Sequence, residues 1–210
     1  MIDLQELFGS VDIYLFDQLL RGRIRPGMRV FDAGCGDGRN LKFLMREGYD
    51  VFAVDPNPQA IANVRALAKQ VAPHLHEDRF RVESLEQLSF PDASADAVLS
   101  SAVLHFAKDD QQFLAMLQGS WRVLRPGGVL FCRLASTIGI EDSVQTLGGR
   151  WSALPDGSQR YLVDEEFLMD LTGRLGGDLL DPLKTTVVQQ QRAMTTWVMR
   201  KGTPVADTSL

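Results

Sequence analysis

Apolar positions change their period along this chain, and each change marks an element. Near the start, Val11, Tyr14, Leu15, Leu19 and Leu20 recur at the spacing of an amphipathic helix, until Pro26-Gly27 interrupts the pattern. Met28-Arg29-Val30-Phe31-Asp32 then reads as a short buried strand, followed by a glycine-rich loop. Leu41, Leu44 and Met45 return to helical spacing, and Gly48 ends that helix. Val51-Phe52-Ala53-Val54 is a second strand, closing at Asp55. Asn57 is placed to cap a helix with Pro58 at its first position, and Ile61, Val64, Ala68 and Val71 form its apolar stripe. Phe80-Arg81-Val82 and Ala97-Val98-Leu99 are the third and fourth strands. A helix with Phe113, Leu117, Trp121 and Leu124 on one face stops at the turn Arg125-Pro126-Gly127-Gly128, and Val129 to Leu134 is the fifth strand.

Short apolar strands alternating with amphipathic helices make a parallel sheet covered on both faces. Beyond it the pattern lapses: residues 136–163 are rich in Gly, Ser, Asp and aromatic residues and show no clear period. Asp164 then caps a helix whose early Glu165 and Glu166 suit its dipole, and Gly176-Gly177 ends it. The runs Leu183–Val188 and Ala193–Met199 predict a terminal hairpin. The expected fold is α/β: a Rossmann-like, doubly wound, mostly parallel sheet of about seven strands, helices on both faces, with a C-terminal antiparallel hairpin. The expected organisation is one domain over residues 1–202. In it, an N-terminal helix (1–25) covers the ligand, 28–135 form the binding core and 136–202 form the substrate side, with a loose tail at 203–210.

Composition narrows this picture. A chain of 210 residues, 45% of them apolar, is long enough for one domain around a sizeable core. No apolar stretch approaches the ~18 residues that span a bilayer, and Met1-Ile2-Asp3-Leu4-Gln5-Glu6 lacks the basic patch and apolar run of a signal peptide. A soluble, cytoplasmic protein is expected. The formal charge of −5 leans against a nucleic-acid partner, since phosphate binding relies on clustered Lys and Arg. The densest basic stretch, Arg21-Gly22-Arg23-Ile24-Arg25, is either a local anion patch or a solvated helix end. Cys35 and Cys132 form no disulfide framework or ligand cluster, and His74 and His76 lack nearby partners, so no metal is expected.

The glycine loop carries the chemistry. A loop between strand and helix lets a ligand approach the backbone and points helix N–H groups at it. Here Gly34, Gly36 and Gly38 strictly alternate, and Asp32 stands two residues ahead of the first. A carboxylate there would repel a pyrophosphate but suits a ligand end bearing an ammonium and a sulfonium, which points to S-adenosylmethionine (SAM). Asp55, at the carboxyl end of the second strand, is placed to accept both ribose hydroxyls or, alternatively, to lead into the helix at Asn57-Pro58.

These residues resemble the first motif of the class I SAM-dependent methyltransferases, in Val30-Phe31-Asp32-Ala33-Gly34-Cys35-Gly36-Asp37-Gly38. Three more segments are similar in order and spacing: Val54-Asp55-Pro56-Asn57-Pro58; Leu88 to Asp92 leading to Val98–Phe106; and Trp121 to Gly128. The likeness is to the small single-domain members, of the ubiquinone/menaquinone and tellurite-resistance types. It implies that SAM is the cofactor and S-adenosylhomocysteine the product. It also implies that Gly34, Cys35 and Gly36 lie against the methionine part, Asp32 faces its amino group, and Asp55 and Pro56 hold the ribose. At the adenine position, where the family commonly has aspartate, this chain has Ser84 flanked by Glu83. Either could substitute, or Leu85 could offer its backbone N–H and an apolar face. Ser100 and Ser101 fall near the transferring methyl, or simply cap the strand end. His105 is the candidate catalytic group: a base taking the acceptor's proton, or a packing residue.

Methyl transfer from a sulfonium is an in-line displacement that asks mainly for alignment and exclusion of water. The acceptor is expected to be a small molecule; tRNA, a protein or a non-catalytic SAM-binding role are the alternatives. Ligands of doubly wound sheets sit outside the carboxyl ends of the strands. Substrate contacts are therefore expected from Tyr14, Phe16, Arg133, Arg150, Trp151, Arg160 and Tyr161, a mixture suited to a planar or anionic acceptor.

Overall fold

A computed structural model describes residues 3–203; most of the expected tail, residues 204–210, lies outside the described residues. The N-terminal region forms two helices rather than one, α1 (Leu4–Phe8) and α2 (Ile13–Leu20). They separate at Gly9, whose φ of 62° ends the first, and Asp12 caps the second by accepting from the Tyr14 N–H at 3.0 Å. Then follow β1 (Arg29–Ala33), α3 (Leu41–Arg46), β2 (Asp50–Asp55), α4 (Pro58–Val71), β3 (Phe80–Val82), β4 (Ala95–Ser101), α5 (Asp110–Val123) and β5 (Leu124–Ser136). Asn57 caps α4 through the Gln59 N–H at 3.0 Å, with Pro58 at the first turn as its sequence predicts.

Beyond β5 come β6 (Gln145–Gly148), β7 (Trp151–Ala153), β8 (Gln159–Tyr161), α6 (Glu165–Arg174), β9 (Gly177–Leu179), β10 (Lys184–Val188) and β11 (Arg192–Lys201). The main sheet runs β10-β11-β5-β4-β1-β2-β3, with β9 also pairing to β11. Its β5-to-β3 part is parallel, and β11 is antiparallel to β5, β9 and β10. The chain builds β1 to β3 in one direction and then returns to lay β4 on the other side of β1. That reversal opens a crevice at the carboxyl ends of β1 and β4, where doubly wound sheets bind ligands.

Both faces of the central strands are buried, which explains their continuous apolar runs. In β1 the alternation sends Val30 to one layer and Phe31 to the other. The Phe31 layer holds Phe52, Phe113, Leu117, Trp121 and Leu168. Leu15, Leu41, Leu44, Ile61 and Val64 pack the Val30 layer.

Three features depart from the sequence reading. Leu124 belongs to β5, and Arg125–Gly128 form an irregularity inside that strand: Ala95 pairs with Leu124, and Ala97 with Val129. Gly128 fits because a Cβ there would lie 2.8 Å from the Asp96 carbonyl oxygen. The segment 136–163, without visible period, forms a small antiparallel sheet, β6-β7-β8. Tyr161 fastens it to α5, stacking on Phe113 at 4.7 Å and donating to Asp110 at 2.9 Å. Finally, the basic run is tied up internally. Arg23 pairs with Asp181 at 2.5 Å and donates to the Leu180 carbonyl at 2.9 Å, while Arg21 lies between Asp17 and Asp181. Among the described residues no helix is long and apolar enough to cross a membrane.

Candidate functional site

A cleft of about 1020 Å³ opens outside the carboxyl ends of the parallel strands. The glycine loop forms one wall. The Gly34 and Cys35 N–H groups both donate to the Val54 carbonyl at 3.0 Å, clamping the loop to the end of β2. Asp55 completes the clamp, its Oδ2 accepting from Gly36 N–H at 2.9 Å and its Oδ1 from Asn57 N–H at 2.8 Å. Each oxygen keeps a second acceptor direction for a ligand hydroxyl. Two glycines are required for different reasons. Gly34 has φ of 87°, and a Cβ there would lie 2.7 Å from the Val103 methyl groups. Gly36, at φ of 50°, has nothing within 4 Å of its would-be Cβ, so its missing side chain leaves the cleft open.

Asp32 lies behind this loop, only 2% exposed. Burial pushes its carboxyl up to about 7; Arg39 pulls it back and Asp55 adds to the rise. Its Oδ2 is buried without a hydrogen-bond partner among the described residues. An unmet acceptor beside a backbone cradle is a place for a cationic ligand. Cys35 is buried and its thiol is pushed up by burial and by Asp32, so it serves as wall rather than nucleophile.

The far end of the cleft is made by Glu83, Ser84 and Leu85. Glu83 is spent on its own loop, accepting from the Ser89 N–H at 2.9 Å and pairing with the Ser89 hydroxyl. Leu85 is buried, and α5 presses on it through Gly119: a Cβ at Gly119 would fall 1.9 Å from the Leu85 carbonyl oxygen.

At the other end, a buried Asp12 gathers four elements. Its Oδ2 accepts from the Ser101 hydroxyl at 3.0 Å and lies 3.5 Å from Arg39 and 3.4 Å from Arg133. Arg39 also donates to Ser101 at 2.8 Å, and Asn40 accepts from the Asp12 N–H at 3.0 Å. Ser101 lines the cleft, whereas Ser100 points into the sheet with its hydroxyl beside Cys132.

His105 forms part of the wall, 5% exposed. Its Nδ1 accepts from the Ala135 N–H at 3.1 Å, so the neutral ring carries its proton on Nε2. Burial, helped by the positive charges of Arg160 and Arg133, lowers its pKa to about 4. At neutral pH this imidazole is a hydrogen-bond donor, with no free lone pair to act as the base its sequence position suggested.

The likenesses to known proteins agree with this geometry. Residues 31–132 match the family described as "Methyltransferase domain". Among curated proteins, a malonyl-[acyl-carrier protein] O-methyltransferase of Serratia marcescens is 36% identical over 131 residues, covering 62% of this chain and 46% of that one. A ubiquinone biosynthesis O-methyltransferase of Xanthomonas campestris is 30% identical over 141 residues, covering 65% and 56%. Over this segment the chain is similar to the class I SAM-dependent methyltransferases. The chain spans about half the length of these two curated relatives. The fold is also that of a Burkholderia thailandensis 1,6-didemethyltoxoflavin-N1-methyltransferase, with a TM-score of 0.69 at 20% identity, covering 96% of this chain and 82% of that one.

Within this methyltransferase domain, the sequence-read residues separate into three groups. Gly34, Cys35, Gly36, Asp55, Pro56, Glu83, Ser84, Leu85, Ser101, His105, Arg133 and Arg160 line the cleft. Asp32 and Ser100 support it from the buried side, and Tyr14 reaches its rim, bonding Thr186 by its hydroxyl under the Arg133 guanidinium. Arg150 and Trp151 stand apart. Arg150 pairs with Asp164 at 2.6 Å over the Phe167 ring, and Trp151 packs on the core. Phe16 likewise packs, against Phe8 and Phe43, and Tyr161 is core. The sequence reading missed Asp12, Arg39, Asp156 and Arg192. The partners of Asp12 are distant in the chain, and Arg39, Asp156 and Arg192 reach the cleft from separate segments, so no spacing announces them.

The residues fit SAM on features of this structure: the unmet Asp32 oxygen, the open face at Gly36, and the spare acceptor directions of Asp55. Among the described residues no group of three or more His, Cys, Asp or Glu could hold a metal ion.

Proposed function

We propose that this protein transfers a methyl group from SAM to a small-molecule acceptor. One observation carries the reading: a single cleft runs from the glycine loop, with Asp32 behind it and Asp55 at its edge, to the segments that follow β4 and β5. Bound SAM supplies an activated methyl on a sulfonium. Gly34, Cys35 and Gly36 hold the methionine end, with Asp32 and Ser100 behind them. Asp55 and Pro56 take the ribose, and Ser84 and Leu85 flank the adenine, Glu83 bracing their loop. Tyr14, Ser101, His105, Arg133 and Arg160 surround the acceptor. The N-terminal helices cover this end, since Asp12 and Tyr14 reach across to β4, β5 and β10. His105 donates a hydrogen bond to orient the acceptor rather than removing its proton, so alignment and exclusion of water supply the rate.

Calorimetric titration with SAM and S-adenosylhomocysteine tests the reading, followed by release of S-adenosylhomocysteine with a metabolite panel. Both ligands are expected to bind, and Asp55→Ala to weaken each about ten-fold or more. Absence of binding to either would sink the proposal.

A further inference from the structure

The charges of the cleft are divided between its two ends. The cofactor end carries Asp37, Asp55, Glu83 and Glu86, while the acceptor end carries Arg39 and Arg133, which share the buried Asp12, and Arg160 and Arg192, with Asp156 as their nearby carboxylate. In a chain of net charge −5, such a basic pocket mouth runs against the average.

Four arginines elsewhere are neutralised, while among the described residues the exposed Arg25 and Arg200 are as unpaired as Arg160 and Arg192 but line no part of the cleft. Arg79, Arg122, Arg125 and Arg150 each sit on a carboxylate: Asp50, Asp92, Asp96 and Asp164. Among the described residues Arg160 donates only to the backbone carbonyl of its neighbour Gln159, and Arg192 makes no ion pair or side-chain hydrogen bond. Arg133 shares Asp12 with Arg39, and its Nε is buried with no partner. The buried Arg133 Nε is costly without an acceptor, and the solvent-reachable forks of Arg160 and Arg192, free of an ion pair, are available to a ligand at the cleft wall.

Though solvent reaches them, both line the cleft. The Arg160 guanidinium lies 4.9 Å above the Phe106 ring, which limits its orientations, and Phe106 packs edge-on against His105 at 4.6 Å. Asp156 and Ser158, from the turn before β8, occupy the same wall as Arg160. Arg192 enters from the start of β11, and Met194 and Leu154 add apolar surface beside them. His105 contributes an Nε2–H with no carboxylate to receive it.

We infer that the acceptor is an anion: a small molecule bearing a carboxylate or phosphate held by Arg160 and Arg192, with the His105 Nε2–H as a third donor and an apolar body against Leu154 and Met194. This deepens the methyl-transfer reading and rests on it. The two anions share the chemistry of oxygen acceptors meeting a guanidinium fork, so the test separates them.

The experiment uses the full chain saturated with S-adenosylhomocysteine, at fixed ionic strength. Benzoate, phenyl phosphate and the neutral isostere benzamide are titrated by ligand-observed NMR into the unaltered protein and into the double variant Arg160→Gln, Arg192→Gln. At least one anion is expected to bind about ten-fold more tightly than benzamide, and to lose that advantage in the double variant. The tighter anion names the group. Unchanged S-adenosylhomocysteine affinity in the variant shows that it is folded. Equal binding of anion and amide, binding by neither anion, or anion binding unaffected by the double variant each overturns the inference while leaving SAM binding intact. Failure of S-adenosylhomocysteine to bind the unaltered protein overturns the methyl-transfer reading, and this inference with it.

Discussion

Asp32 shows how one side chain can oppose stability while fitting a ligand. Its folded pKa, about 7, lies above the ordinary carboxylate value of 3.8 because it is buried. Between those values the folded protein holds a proton that the unfolded chain releases, so stability falls as pH rises from about 4 to 7. Asp32→Asn is therefore expected to raise the melting temperature of the ligand-free protein, with a gain that grows across that window, while weakening SAM binding. Thermal scans at pH 5 and 8 read this directly; a gain that shrinks with rising pH would contradict the buried, unpaired carboxylate. His105 has the opposite sign. Its pKa of about 4 lies below the ordinary histidine value of 6.5, so stability is lost as pH falls from about 6.5 towards 4. His105→Asn offers an amide oxygen in place of Nδ1 to the Ala135 N–H and cannot take up that proton. The variant should lose less stability on acidification, and NMR should place the imidazole midpoint of the unaltered protein near 4. A midpoint near 6.5 would restore His105 as a candidate base.

At the scale of elements, the strands and helices that carry their own pattern were legible. Asn57-Pro58 announced α4, Asp164 announced α6, and the two late runs announced the pairing of β10 and β11. The short strands β7, β8 and β9 were not: unlike β3 they lie outside the strand–helix alternation, and partners alone define them. Gly119 belongs here too. In sequence it is a weak helix residue, but in the fold it lets α5 close on the Glu83–Leu85 loop at one end of the cleft. Gly119→Ala should cost about 1–3 kcal/mol through overpacking and weaken S-adenosylhomocysteine binding by displacing Leu85. Denaturant midpoints and titration measure both effects; an unchanged midpoint would mean the helix and loop are not in contact.

Across the whole molecule, Asp12 ties the N-terminal helices to the sheet. Asp12→Ala removes the acceptor shared by Ser101, Arg39 and Arg133 and the cap of α2. It is expected to cost about 2 kcal/mol, discounted because Arg39 is partly exposed, and to loosen the cover over the cleft. Denaturation paired with amide hydrogen exchange in residues 13–20 checks it; unaltered exchange there would show that Asp12 does not hold the helix. By itself the sequence determined the parallel core, the glycine loop, Asp55 and hence the cofactor, because a strand, its turn and the next helix are local, and their residues must follow one another in order. Only the tertiary structure decided which residues gather at the other end of the cleft: the sequence offered Arg133 and Arg160 singly, and Asp12 and Arg192 not at all. Asp12, Arg133, Arg160 and Arg192 come from four separate segments, and their meeting depends on how the sheet twists those segments together rather than on any spacing along the chain.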